Sequence, residues 1–237
     1  MRESIVIESM DGGGWSVQKV DKSQNPPKIL LRKYVNTADV ASLFTKMTTF
    51  DTGFISHRLL RLAKAADNNV WTIMVPGAVR AIIHYNSERA ENDDRFVTKA
   101  AWMPPSMWIV TAPEGQTKKW RTKVCMVDMK SGMTSRYPTP NVYQDGNICW
   151  GHVVDTVPPM TFPRDLGKIV DYFFGSEFNT DLWSYSIPFF DVVKAMGKKK
   201  VVEEMNDDER MASLLAVLPD IDFNTSMEKF YKSAVHD

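Results

Sequence analysis

The chain has 237 residues, 43% of them apolar, which is enough for one generous domain or for a core domain that carries an extension. Lysine plus arginine and aspartate plus glutamate both total 29, so the formal charge is zero and no overall field draws the chain to nucleic acid or to anionic lipid. Two cysteines exclude a disulfide framework, and four scattered histidines (His57, His84, His152 and His236) give no metal-ligand spacing. The opening MRESIVIESM has no apolar core of signal-peptide length, and no run approaches about 18 apolar residues, so the expected setting is a reducing cytoplasm rather than a membrane or the exterior.

Residues 5–8, 15–20 and 29–35 read as short strands, set apart by Gly12-Gly13-Gly14 and by Asn25-Pro26-Pro27, and predict a small sheet of their own. Asn36 then caps an expected helix in which Val40, Leu43, Phe44 and Met47 recur at helical spacing. Further strands are predicted over 71–75, 79–84, 96–102, 107–112 and 120–129, with Pro76-Gly77 and Pro113-Glu114-Gly115 as turns; such short links predict an antiparallel meander. Periodicity vanishes over 130–159, a stretch holding Pro138, Pro140, Pro158, Pro159 and Cys149, and irregular segments of that length within a compact domain are usually functional or disordered.

A helical third follows. Pro163 suits a first helical turn, Leu166, Ile169, Val170 and Phe173 form one apolar face, and Gly175 stops the helix. Three more amphipathic segments carry Phe189, Val192, Val193 and Met196 ahead of Gly197; Met211, Leu214, Leu215 and Leu218 behind an Asn206 cap; and Met227, Phe230, Tyr231 and Ala234. The order predicts an α+β fold, not an alternating βαβ one, and no glycine-rich phosphate loop follows any strand. Three units are expected: an N-terminal β extension over 1–35, a core over 36–180 and a C-terminal helical extension over 181–237.

Chemistry concentrates in YPTPNVYQDGNICWGHV, residues 137–153. Cys125 lies in the alternating run Lys123-Val124-Cys125-Met126-Val127 and reads as sheet core, whereas Cys149 lies in the loop, where a thiolate forms and is reached more easily. If a carbonyl held on Cys149 as a thioester were attacked by an amine, the tetrahedral intermediate would carry an oxyanion, and the Asn141 amide has the chemistry to donate a hydrogen bond to it. Asn141 between Pro140 and the loop also suits a turn, and Asp145-Gly146 reads as a tight turn that returns Cys149 toward Asn141.

Pro140-Asn141-Val142-Tyr143, Asp145-Gly146 and Ile148-Cys149 together resemble the active-site signature of ubiquitin-conjugating enzymes, in which His-Pro-Asn precedes the catalytic cysteine by the same eight residues from Asn to Cys. More narrowly, residues 108–112, the hairpin up to Met129, PTPNVYQDGNICWG and DYFFGSEFN (171–179) are similar to a bacterial branch of that superfamily, the protein B of PRTRC systems and its relatives in ubiquitin-like conjugation operons. The resemblance spans 38–179 as topology and is strong at residue level only in the flap. It implies a UBC-like fold: an N-terminal helix, a four-stranded antiparallel meander, an active-site flap and C-terminal helices. Thr139 stands where the family has its histidine, and Trp150-Gly151-His152 replaces the usual leucine and acidic pair.

The resemblance also implies a reaction. An adenylating activating enzyme would pass a ubiquitin-like protein to Cys149 as a thioester, and an amine, a lysine of a target protein, would then take the acyl group. Cys149 would be the nucleophile, Asn141 the oxyanion or flap-ordering group, and Tyr143 with Pro140 the packing of the flap. Asp155 is the candidate for orienting the lysine by its proximity in sequence. No metal or small cofactor is needed, because the thioester carries the energy. Two rivals stand beside transfer: a UBC-like scaffold with an incidental cysteine, and a cysteine hydrolase pairing Cys149 with His152, whose separation by only Trp150-Gly151 disfavours it. The operon relatives imply a role in antiviral defence or in a plasmid system.

Overall fold

A computed structural model of the chain describes residues 3–9, 15–21, 28–35, 50–51, 60–65, 68–85, 96–113, 119–162 and 165–236. The fold is α+β. β1 (Glu3–Ser9), β2 (Trp15–Asp21) and β3 (Lys28–Val35) make an antiparallel sheet in that order and, among the described residues, pair with no other strand. The helix expected behind Asn36 lies outside the described residues.

The strands that follow are β4 (Phe50–Asp51), β5 (Leu60–Ala65), β6 (Asn68–Val75), β7 (Ala78–Tyr85), β8 (Phe96–Met103), β9 (Ser106–Pro113), β10 (Arg121–Val127) and β11 (Met133–Arg136). They form the expected sequential meander only in part: β7 pairs with β8 and β9 with β10, but β6 does not pair with β7, nor β8 with β9. β6 pairs with β9, from Asn68 opposite Pro113 to Val75 opposite Ser106, while β7 pairs with β8, from Ala78 opposite Met103 to Tyr85 opposite Phe96. Both ladders keep one register, so the four strands are a single long hairpin, interrupted where Pro76-Gly77 faces Pro104-Pro105. Proline offers no N–H to the ladder and fixes φ, so pairing breaks there and the outer half of the hairpin joins a different sheet. Gly77 permits the close passage at this corner, since a Cβ there would sit 2.8 Å from the Trp102 indole.

The remaining elements are α1 (Val153–Thr156), α2 (Leu166–Phe174), β12 (Glu177–Phe178), α3 (Phe189–Met196), a π-helical turn (Lys200–Glu204), α4 (Asp207–Val217), β13 (Thr225–Ser226) and α5 (Met227–His236). The stretch over 130–159 is therefore less irregular than its sequence predicts, since it holds β11 and α1. Among the described residues the main sheet runs β13-β11-β10-β9-β6-β5-β4, antiparallel throughout, and the hairpin tip forms a second sheet in the order β12-β7-β8. β12 lies parallel to β7, with Glu177 opposite Ile83 and Phe178 opposite His84.

The main sheet is covered on both faces, and its strands alternate accordingly. Trp108, Val110, Val124 and Met126 face a large core shared with Tyr137, Phe173, Phe178 and Phe189, where the Trp108 and Phe173 rings meet edge to face at 5.2 Å. Met107, Ile109, Cys125 and Val127 face the other way, against Met227, Phe230 and Tyr231 of α5. Each large apolar side chain fully buried in these layers contributes about 1.5–3 kcal/mol. Helical spacing placed the buried faces of α2 and α3 correctly: Leu166, Ile169, Val170 and Phe173 in the first, Phe189, Val192, Val193 and Met196 in the second. Among the described residues no helix is long and apolar enough to cross a membrane.

Candidate active site around Cys149

The flap is a narrow loop laced to itself and to β10. Its outgoing limb carries Asn141, Val142 and Tyr143, and its return limb carries Asn147, Ile148 and Cys149. The Tyr143 N–H donates to the Asn147 carbonyl at 2.8 Å, Val142 bridges Ile148, and the Cys149 N–H donates to the Asn141 carbonyl at 2.8 Å. Asp145 and Gly146 reverse the chain between the limbs. The Asp145 carboxylate accepts the Asn147 N–H at 3.0 Å, and Gly146 adopts φ +85°, a conformation that a residue with a Cβ reaches only at a cost. The Gly146 carbonyl then accepts the Val124 N–H of β10 at 2.8 Å, and the Thr122 carbonyl accepts the Ile148 N–H at 3.2 Å. The eight-residue spacing thus becomes a backbone hydrogen bond that sets Asn141 opposite Cys149.

Cys149 is partly exposed and lines a cleft of about 600 Å³ with Asn141, Tyr143, His152, Glu177 and Asp181. Behind it, the Trp150 indole N–H donates to Thr122 Oγ1 at 2.8 Å and the ring packs edge-on against Trp120 and Phe173, which anchors the residue after the sulfur. Cys125 is sheet core, as its alternation predicted. It is buried, its Sγ lies 3.9 Å from the Met107 carbonyl, and burial pushes its thiol pKa far above the ordinary range.

Asn141 Nδ2 donates to the Glu177 carbonyl at 2.8 Å, joining the flap to β12 on the opposite wall. An amide nitrogen carries two N–H groups, so the Glu177 carbonyl takes only one of them. Glu177 is held there because β12 is paired with β7, the outer half of the bent hairpin.

Tyr143 departs from its expected role. It was expected to pack the flap, yet its side chain is 44% exposed and faces the cleft. Hydrogen bonding to the Cys149 side chain holds its phenol above the usual tyrosine range, and the Coulomb interaction with the same thiol adds to this. The flap is packed from within by other residues: Pro140 and Thr139 are both buried. Among the described residues Thr139 Oγ1 has no hydrogen-bond partner, so the position that is histidine in the resembled family supplies no side-chain polar contact to the flap here.

Asp155 is exposed on α1 and does not line the cleft; the carboxylates that do are those of Glu177 and Asp181. Asp181 is steadied by Asn179, whose Nδ2 donates to its carboxylate at 2.8 Å. Sequence proximity pointed to Asp155, whereas the chain returns to the cysteine from a distance, after α2. The stretch 171–179 contained Glu177, but no spacing rule linked it to Cys149. Among the described residues no group of three His, Cys, Asp or Glu side chains is arranged to hold a metal ion.

The arrangement offers a reachable sulfur, a phenol beside it, a carboxamide across from it and two carboxylates on the far wall. That set suits acyl capture on sulfur and release to an amine that has lost its proton. In comparisons with known proteins, no family model, curated protein or solved structure matches this chain.

Proposed function

We propose that the chain is a UBC-like conjugating enzyme. It accepts a ubiquitin-like protein from an adenylating activating enzyme as a thioester on Cys149 and passes the acyl group to an amine, a lysine of a target protein. One observation carries the proposal: the Cys149 N–H bonds the Asn141 carbonyl while both side chains line one cleft. The PNVY-DG-IC signature that resembles ubiquitin-conjugating enzymes therefore corresponds to a local geometry suited to the chemistry it implies.

In the first step the Cys149 thiolate attacks the thioester carbonyl, an S–C bond forms, and the activating enzyme's sulfur leaves as a thiolate. In the second, an amine nitrogen attacks the same carbonyl, the C–N bond forms, and Cys149 leaves as a thiolate while the amine proton passes to solvent. Asn141 stabilises the oxyanion of the second step, a donor whose loss typically costs about 10²- to 10³-fold. Glu177 and Asp181 attract the lysine, and the Tyr143 phenol lines the same cleft as the sulfur. The energy resides in the thioester, so the chain itself needs neither ATP nor a metal, and the cytoplasm is the compartment that keeps the thiol reduced.

A peptide thioester ending in Gly-Gly tests this without the activating enzyme. Wild-type chain should take the acyl group onto Cys149 and discharge it to free lysine; Asn141→Ala should load at the wild-type rate and discharge at least tenfold more slowly. Binding of a ubiquitin-like protein with no adduct on Cys149 supports a docking scaffold instead. Discharge to water regardless of lysine supports a hydrolase, a reading favoured by the presence of His152 in the same cleft.

A further inference from the structure

Arg136 closes β11 immediately before the flap, with its guanidinium half-buried. A guanidinium removed from water must find acceptors for a rigid fork of five N–H donors. Here it finds three, one on the outgoing limb of the flap and two on the segment after β12. Nε donates to the Val142 carbonyl at 3.0 Å and Nη2 reaches the same oxygen; Nη2 also donates to the Leu182 carbonyl at 2.6 Å, and Nη1 to Ser184 Oγ at 2.5 Å. Val142 follows Asn141 in the outgoing limb, and Leu182 follows Asp181 in the wall that faces Cys149. Gln144 of the flap reinforces the link, its Nε2 donating to Ser184 Oγ at 2.8 Å, and the Tyr185 hydroxyl returns to the Arg136 carbonyl at 3.4 Å.

Thr139 Oγ1, by contrast, is buried without a partner. The flap's side-chain fastening has no source at that position. Burial lowers the Arg136 pKa, an electrostatic cost that the carbonyl contacts offset, and lysine could not reproduce the forked geometry.

We propose that Arg136 is the positioning residue of this site, fixing the Val142 and Leu182 carbonyls at once so that Asn141 and Asp181 stay at working distance from Cys149. The proposal rests on the acyl-transfer reading for its kinetic consequence but not for its structural one. Arg136 touches no substrate and acts through the two backbone segments it joins.

Arg210 supplies a matched control. It donates from Nε to the Val201 carbonyl at 2.9 Å and from Nη2 to the Val202 carbonyl at 2.8 Å, a similar fork outside the cleft lining. The test compares Arg136→Met, Arg136→Lys and Arg210→Met in the full chain by two readouts: single-turnover discharge of a Gly-Gly peptide from Cys149 to saturating lysine, and hydrogen exchange of the Cys149 amide. Misplacing a reacting group by about 1 Å can cost on the order of 10²-fold in rate, so both Arg136 variants should lose between tenfold and that much in discharge. Loading should stay near wild type, Cys149 amide exchange should rise at least tenfold, and Arg210→Met should change neither readout even if it melts earlier. Arg136→Lys keeps the charge and stem and serves where Arg136→Met does not fold. Discharge and exchange within twofold of wild type in the Arg136 variants, or equal losses in Arg210→Met, would overturn the proposal. If wild type never takes the acyl group, the acyl-transfer reading fails, and the exchange comparison alone still decides whether Arg136 orders the flap.

Discussion

Replacing Gly146 by alanine should harm the protein in two separable ways. The residue sits at φ +85°, where an L side chain costs roughly 1–2 kcal/mol, and its new Cβ would lie 2.8 Å from the Phe230 ring and 3.0 Å from the Val124 carbonyl. Phe230 belongs to α5, which packs on the second face of the sheet, so the ring must turn or the helix shift to make room; overpacking of this kind typically costs about 1–3 kcal/mol. Together the terms predict a loss of about 2–5 kcal/mol. Gly151 isolates the conformational part, because it too has positive φ, +49°, but a Cβ there meets nothing within 4 Å. Urea unfolding of Gly146→Ala and Gly151→Ala should therefore differ by about the overpacking cost, roughly 1–3 kcal/mol, with no change in slope. Equal losses in the two variants would show that the contact between α5 and the flap is not close, and the account of how the C-terminal helix backs the site would fall.

Two pH effects follow from buried groups, and their signs are opposite. Cys125 has its thiol pKa raised by burial, so the folded state binds that proton more tightly than the unfolded chain; the contribution is intact below the ordinary thiol value near 8.5 and is lost above it, at up to about 1.4 kcal/mol per pH unit. Cys125→Ala should flatten the fall in stability between pH 8.5 and 10, and an unchanged slope would contradict the burial argument. His84 is buried with its pKa lowered by desolvation, against the opposing effect of a backbone hydrogen bond at Phe178 of β12. Its contribution is present above the ordinary histidine value near 6.5 and is lost as pH falls below it. His84→Gln should remove that acid-side slope in thermal melts, and a slope that persists would assign it to other groups.

The parts of the fold set by local spacing were legible in the sequence. Four apolar positions in each of α2 and α3 marked the buried faces, and Gly175 and Gly197 marked the ends, because a 3.6-residue period is a property of neighbours. Asn206 caps α4 with a full capping box, its side chain accepting the Glu209 N–H at 3.0 Å while the Glu209 carboxylate accepts the Asn206 N–H at 2.8 Å. The face of that helix was less well read, since Leu214 and Leu218 are buried while Met211 and Leu215 are only half-buried.

Strand pairing was legible only in part: the sheet of β1 to β3 and the neighbours β7-β8 and β9-β10 follow chain order, whereas β6 skips to β9. Pro76-Gly77 looked like a hairpin turn between neighbours, but opposite Pro104-Pro105 it is a bend in a hairpin whose outer ladder runs on to Tyr85 opposite Phe96. Nothing local distinguishes the two. The site divides in the same way. Asn141 and Cys149 belong to one loop and could be paired by counting, whereas Glu177 and Asp181 reach the cleft, and Arg136 its Leu182 contact, only when β12 and the segment after it fold back across the flap. Tyr143 was assigned to packing by the resemblance, and its exposure in the cleft that holds the sulfur depends on a turn geometry that sequence does not specify.

The most direct measurement is the intact mass of this chain isolated, under acid and without reductant, from cells that naturally carry it. The account predicts a fraction heavier by one small protein, released by added thiol, absent from Cys149→Ala and converted in Cys149→Ser to a form that thiol does not release. Only unmodified chain, or an adduct that survives in Cys149→Ala, would contradict it.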